Sequence, residues 1–120
     1  MFTYSFEKLE VWKESKNFTK SIYLATSKFP ESEKYELISQ LRRASVSICS
    51  NIAEGSSRQT NKDKAHFTTM AFSSAVEVLN QLIICYELNF ITEKEYFDLR
   101  SDLENITNKL NALRTYQTNK

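Results

Sequence analysis

Apolar residues recur every three or four positions along most of this chain, the spacing of helices that bury one face. The first stripe is Val11, Ser15, Phe18, Ile22, Ala25 and Phe29, and the last is Tyr96, Leu99, Leu103, Ile106, Leu110 and Leu113. Two further segments between them show the same period. The pattern predicts four helices, over about residues 6–28, 31–54, 61–88 and 93–114.

Helix boundaries are marked by a small number of residues. Pro30 ends the first predicted helix, and Gly55, the only glycine, is expected to stop the second in a left-handed conformation. Capping boxes are predicted at 60–63 and 92–95, and Asn89 is expected to cap the third helix. Such short corners make neighbouring helices antiparallel. The predicted fold is all-α, a single-domain up-down-up-down four-helix bundle over residues 1–120.

The two middle helices each carry a second apolar stripe. The residues concerned are Val46, Cys49 and Ala53 in helix two and Phe72, Val76, Leu79 and Ile83 in helix three. A helix in a monomeric bundle needs only one inward face, and an exposed apolar patch marks an interaction site. We therefore predict that these residues form a homo-oligomer interface. The alternative is that they widen the packing within one subunit.

A polar stripe runs along the opposite side of helix two. Its members are Gln40, Ser47, Asn51 and Glu54, with Arg43 on the same side. Helical spacing places these side chains in one row. Such a row is more often a hydrogen-bonded structural seam between helices than a reactive site, and we interpret it as a seam.

Specific runs in helix two give the chain a resemblance to a known family. Residues 40–44 (Gln-Leu-Arg-Arg-Ala), 47–48 (Ser-Ile) and 50–55 (Ser-Asn-Ile-Ala-Glu-Gly) resemble the signature of the 23S rRNA intervening-sequence protein family. Residues 6–12 are similar to the opening of that family. One departure is Asn89, which stands where the family has glycine, but asparagine tolerates the same left-handed backbone.

The resemblance carries expectations about assembly and partners. Members of that family are four-helix bundles encoded within intervening sequences of ribosomal RNA genes, and relatives form closed five-membered rings. A similar ring protein is the accessory variability determinant of diversity-generating retroelements, which binds a reverse transcriptase and RNA. The resemblance therefore implies a homopentamer, with RNA or a reverse transcriptase as its partner.

Charge is balanced over the chain but uneven along it. Sixteen basic and 15 acidic residues give a net charge of +1, so no global field attracts nucleic acid. Residues 37–70 nevertheless carry an excess of three positive charges, and residues 71–99 an excess of four negative charges. The basic residues Arg42, Arg43, Arg58, Lys62 and Lys64 are expected to cluster around the corner between helices two and three.

That basic cluster leaves two functional interpretations open. Phosphate contacts from these side chains would give salt-dependent RNA binding without base recognition. A protein-interaction scaffold with no direct nucleic-acid contact is the alternative, and the balanced net charge favours it. Ordinary solvated charges are the third possibility, because isolated exposed pairs contribute little.

The chain lacks the residues that most catalytic and metal sites need. His66 is the only histidine, and the solitary glycine excludes a glycine-rich phosphate loop. Cys49 and Cys85 fall on apolar helical faces as free thiols. No signal segment and no apolar run near 18 residues is seen. We predict a cytoplasmic protein that is not an enzyme, with no metal, cofactor, membrane association or small-molecule substrate.

Overall fold

Four α-helices make up the bundle, in a computed structural model that describes residues 1–119. They are α1 (Glu10–Thr26), α2 (Ser39–Ser56), α3 (Asn61–Glu87) and α4 (Glu93–Thr118). Each helix packs along the next one in the chain, and α4 also packs against α1, over a body of 45 × 32 × 22 Å. The predicted up-down-up-down four-helix bundle is confirmed, and its lower end holds the start of α1 and the end of α4.

The core receives large apolar side chains from all four helices. Its fully buried members include Phe18, Ile22, Leu41, Ile48, Val78, Leu82, Ile106 and Leu110. These residues lie on the stripes that the three-four spacing defines. Burying one such side chain stabilises the fold by about 1.5–3 kcal/mol, so the stripes determine how the helices face one another.

The first helix begins later than predicted. Residues Ser5–Lys8 form a separate 3-10 turn, and Leu9 is extended before α1 starts at Glu10. The Glu7 carboxylate accepts a hydrogen bond from the Tyr4 N–H at 2.8 Å, which closes that turn. Leu9 is thereby directed toward the core, which it contacts as a half-buried side chain.

The second helix also begins later than its predicted start at residue 31. A 3-10 turn (Glu31–Glu33) and a π-helical segment (Lys34–Ile38) precede α2, and the backbone of Glu36 departs from helical angles. A π turn adds one residue to a helical turn. Leu37 and Ile38 can both reach the core side in this way, while Tyr35 stays in solvent.

Gly55 does not provide the left-handed stop that its position predicts. It lies inside α2, which continues to Ser56, and no glycine has a positive φ. A Cβ atom on Gly55 would lie 2.8 Å from the Cβ of Phe67 in α3. The glycine is therefore needed for the close approach of α2 and α3, and the expected left-handed stop is wrong.

The cap of α3 and the start of α4 follow the prediction closely. Asn89 has φ 63°, and the N–H groups of Asn89 and Phe90 donate to the carbonyls of Tyr86 and Cys85 at 3.0 and 2.9 Å. That pair of bonds is a Schellman motif. Thr92 and Glu95 form a complete capping box. At α3 only the hydroxyl of Thr60 caps, accepting from the Asp63 N–H.

Candidate nucleic-acid interface

The five basic residues expected to form one cluster lie in two places. Arg42 and Arg43 are in the first turn of α2, whereas Arg58, Lys62 and Lys64 lie beyond its other end. From Arg42 to Ser56 the helix rises about 21 Å at roughly 1.5 Å per residue. The expectation of a single cluster is therefore wrong, because the length of α2 separates the two groups.

Arg42 is held against α1. Its Nε donates to the Thr26 hydroxyl at 2.9 Å, an Nη donates to the Tyr23 carbonyl at 3.3 Å, and the guanidinium lies 4.5 Å from the Tyr23 ring centre. Arg43 instead faces α3, where an Nη atom lies 3.5 Å from a Glu77 carboxylate oxygen. Only Arg42 thus keeps a positive charge with no carboxylate beside it.

The three lower basic residues surround the corner between α2 and α3. The Arg58 guanidinium lies 4.5 Å from the ring centre of Phe67, the residue that Gly55 touches. Lys62 is exposed and Lys64 is half-buried. Within residues 1–119 none of these three side chains makes an ion pair. They form a small positive corner at the lower end.

A second basic surface was missed by the sequence analysis. Lys13, Lys16 and Lys20 are exposed and spaced by three and four residues on α1, which places them on one side of that helix. Lys16 lies 5.2 Å over the Trp12 ring and acts electrostatically on Cys49 of α2. We call the surface made by Lys13, Lys16, Lys20 and Arg42 the basic face. The spacing of the three lysines in the sequence could have revealed this face, but the nearly balanced net charge of the chain gave no sign of it.

No carboxylate neutralises the basic face. Between residues 11 and 28 the only acid is Glu14, and it turns away to pair with Lys109 of α4. Glu54 is the only acid in α2 and lies at the opposite, lower end of that helix from Arg42. Within the described residues, the three lysines have no ion-pair partner. The four cations of the basic face are thus unpaired in the described residues, and the nearest acid along α1 other than Glu14 is Glu10, one turn before Lys13.

The helix-two residues expected at an oligomer interface lie on the side of α2 that faces α1. The Cys49 sulfur lies 3.6 Å from the Thr19 hydroxyl, and Cys49 and Ala53 are half-buried. Val46 is 41% exposed. Burial raises the pKa of the Cys49 thiol, while the Thr19 hydrogen bond and the Lys16 ammonium oppose that rise. Burial likewise raises the pKa of Cys85 to about 11.

The helix-three stripe is divided between two environments. Phe72 and Leu79 are half-buried and pack against the subunit's own core, which matches the alternative of wider internal packing. Val76 is 50% exposed, and Ile83 is half-buried. The outer edge of this stripe remains uncovered in a single chain.

Two of the four polar-stripe residues, Gln40 and Ser47, bond across to α3, and Asn51 bonds to Ser47 within α2. The hydroxyls of Ser47 and Ser74 lie 2.9 Å apart, and the Asn51 amide donates to the Ser47 carbonyl at 2.9 Å. Gln40 accepts from the buried Gln81 amide at 3.4 Å. These contacts make a polar seam along the two helices.

Glu54, the fourth polar-stripe residue, is exposed. No side-chain partner for it is found in the part of the chain that is described. Gln81 is 4% exposed and donates to Glu77 as well as to Gln40, but its Oε1 has no partner among residues 1–119. The polar seam therefore contains one buried atom, Gln81 Oε1, without a hydrogen-bond partner among the described residues.

Two features of α3 concern metal and membrane. In the described residues no group of three or more histidine, cysteine or acidic side chains could hold a metal, and His66 packs its ring edge toward Phe67. Over an 18-residue window with a mean hydropathy of 1.3, α3 could cross a membrane by length and composition alone. The expectation that the chain has no apolar segment of about 18 residues is therefore wrong. Core helices of soluble bundles pass the same test, so this property alone does not indicate a membrane span.

These observations define a small antiparallel four-helix-bundle protein with a basic face, a polar seam and a partly uncovered apolar stripe. The family model described as 23S rRNA-intervening sequence protein matches residues 7–112, and the chain belongs to that family. Among solved structures, a protein of unknown function from the S23 ribosomal protein family of Bacteroides thetaiotaomicron is 23% identical, with a TM-score of 0.79. That match covers 87% of this chain and 97% of the other, and it shows the shared fold. Comparison with curated proteins gives no match.

Proposed function

We propose that this protein is a non-catalytic, cytoplasmic RNA-binding bundle that acts beside a nucleic-acid-processing partner such as a reverse transcriptase. The observation that carries the proposal is the basic face, where four cations stand together without a carboxylate. A polyanion is the ligand that such a surface attracts. The family's association with intervening sequences of 23S rRNA supports RNA as that polyanion.

The basic face suits phosphate contact rather than base recognition. Lys16 and Lys20 are separated along α1 by about 6 Å at roughly 1.5 Å per residue, so they can reach neighbouring phosphates of one strand. Lysine is a flexible point charge that does not select a base. Binding through this face is therefore expected to be sensitive to salt and tolerant of sequence.

A homo-oligomer, for which the family resemblance favours a pentamer, belongs to the same proposal. The exposed Val76 of α3 and Val46 of α2 support it, because each leaves an apolar side chain in water on a helix with two apolar stripes. A ring repeats the basic face once per subunit, and linked weak contacts raise the overall affinity. A Val46→Asp, Val76→Asp variant should lower the mass measured by light scattering, with helicity retained.

The RNA proposal is tested with two triple variants of equal charge. Lys13, Lys16 and Lys20 are changed to glutamine in the first, while Lys28, Lys94 and Lys109, which already pair with carboxylates, are changed in the control. Filter binding to a structured RNA is measured at several salt concentrations. The first variant should lose affinity and show a salt slope smaller by about two to three, at roughly 0.7–0.9 per phosphate contact.

The control variant should bind RNA as the natural protein does. Equal losses in both triple variants would show that only net charge matters, and the basic face would then have no special role. Absence of RNA retention by the natural protein at low salt would favour the scaffold function instead. The partly uncovered apolar stripe of α3 is the observation that supports a scaffold.

A further inference from the structure

A cavity of about 240 Å³ opens at the lower end of the bundle. Leu9, Ile52 and Leu113 provide apolar walls from three different elements, and Gly55 lines it without a side chain. We call it the lower cavity. An apolar recess with a few polar groups at its edge is the usual form of a binding site for a small organic group.

Lys64 is the only charged residue that lines the lower cavity. Its side chain is half-buried, and no ion pair satisfies it among residues 1–119. It also lies in the first turn of the 27-residue α3, where the helix dipole favours negative charge. An occupant with one anionic group would therefore compensate two positive features at once.

The polar groups of the lower cavity suit a heterocyclic ring better than an alkyl chain. The Thr68 hydroxyl lies 2.8 Å from Gln117 Oε1 and 3.1 Å from the Lys64 carbonyl, so it holds the Gln117 carboxamide at the cavity wall. Asn61 adds a second carboxamide to the lining. Each carboxamide carries both donors and an acceptor, the complement of a nucleobase edge.

We propose that the lower cavity receives the base of one unpaired RNA nucleotide, whose 5′-phosphate lies at Lys64. Single-stranded RNA is commonly recognised through bases that are splayed out into apolar recesses. Arg58 stands at the same corner, where its guanidinium can meet an adjoining phosphate. The RNA context rests on the proposed function, but occupancy by a free mononucleotide does not depend on it.

Gly55 provides a specific probe, since the chain has no other glycine. Its amide signal is followed in a ¹H–¹⁵N NMR titration of the full chain with each of the four 5′-mononucleotides, with ribose 5-phosphate and benzoate as comparison ligands. At least one nucleotide should shift the Gly55 signal in a saturable way. Ribose 5-phosphate, which lacks a base, should shift it far less.

Lys64→Gln and the matched control Lys62→Gln separate the cavity from general charge. Lys62 is exposed on the same helix end and does not line the cavity. Loss of a charge-assisted contact should weaken nucleotide binding about tenfold in Lys64→Gln and leave it unchanged in Lys62→Gln. A conserved pattern of signals elsewhere in each spectrum shows that the variant is folded.

Three results would overturn the proposal: no shift of Gly55 at millimolar nucleotide, equal binding by benzoate, or full affinity in Lys64→Gln. Filter binding distinguishes this failure from failure of the proposed function. If RNA is retained but no nucleotide enters the cavity, the proposed base site is wrong and the proposed RNA binding stands. If a nucleotide enters the cavity but RNA is not retained, the base site stands and the proposed RNA binding is wrong.

Discussion

The seam between α2 and α3 and the seam between α1 and α4 are held together by different chemistry. Between α2 and α3 most polar contacts are neutral and partly buried, as in the pair of Ser47 and Ser74 hydroxyls 2.9 Å apart, and the Arg43–Glu77 ion pair lies at the exposed edge. Between α1 and α4 they are ionic and exposed, as in the Lys28 ammonium 2.9 Å from the Glu95 carboxylate. The first seam fixes distance and register, and the second closes the bundle.

This difference predicts which seam responds to solution conditions. Neutral hydrogen bonds between small side chains require close backbones and are little affected by salt or pH. Exposed ion pairs contribute about 0–1 kcal/mol each and are screened by salt. We therefore expect the α1–α4 seam to loosen first in acid or high salt, while the α2–α3 pair stays together.

The largest effect is expected from Gly55→Val. The new Cβ would meet the Phe67 Cβ at 2.8 Å, and neither atom can move without its backbone, so α2 and α3 must separate. Overpacking of this kind costs about 1–3 kcal/mol in the free energy of unfolding. Urea denaturation measures the loss. Ala53→Val, on the α1 side of the same helix, should change the stability far less, and equal losses would remove the special closeness of the α2–α3 seam.

Gln81→Leu is expected to stabilise the protein by about 1 kcal/mol. The change removes a buried carbonyl oxygen that has no partner among the described residues. Burying that oxygen destabilises the fold by more than the weak hydrogen bonds to Gln40 and Glu77 stabilise it, because water can replace those bonds. A higher urea midpoint with an unchanged slope would support this result. A lower midpoint would mean that the amide is an essential part of the seam.

Ser47 and Ser74 should show a coupling energy of about 0.5–1 kcal/mol in a double-mutant cycle of alanine variants. The coupling arises because each hydroxyl is the hydrogen-bond partner of the other across the seam. Repeating the cycle at 0.05 and 1 M salt provides the control. A coupling that falls with salt would contradict the neutral character assigned to this seam.

A comparably small effect, which depends on pH, is expected at Glu95. The Thr92 N–H bond and then the Lys28 ammonium hold the pKa of Glu95 below its ordinary value. Its stabilisation is therefore present above the ordinary glutamate pKa of about 4.3 and is lost as the pH falls through the lower folded pKa. Glu95→Gln should lower the unfolding free energy by roughly 0.5–1 kcal/mol at pH 7 and by less near pH 3. Glu93→Gln is the matched control, and a loss independent of pH would contradict the assignment.

The sequence predicted the helices, their antiparallel order and the Asn89 cap because each depends on local spacing or on one backbone conformation. It did not predict the role of Gly55, since a close contact with Phe67 depends on how two helices approach. Counting charges over a stretch of sequence also placed Arg42 and Arg58 in one cluster, although they lie at opposite ends of α2. Lys13, Lys16 and Lys20 were overlooked because the net charge of the whole chain is nearly balanced, and because only the structure shows that Glu14 pairs with Lys109 of α4.

The π-helical segment at Lys34–Ile38 has a consequence for how related chains can vary. A one-residue deletion in the body of α2 would rotate every following side chain by about 100° and move the core stripe into water. A deletion at the backbone break near Glu36 would instead leave the winding of α2, which begins at Ser39, unchanged. Changes of chain length among relatives are therefore expected to collect in this segment, where they alter neither seam.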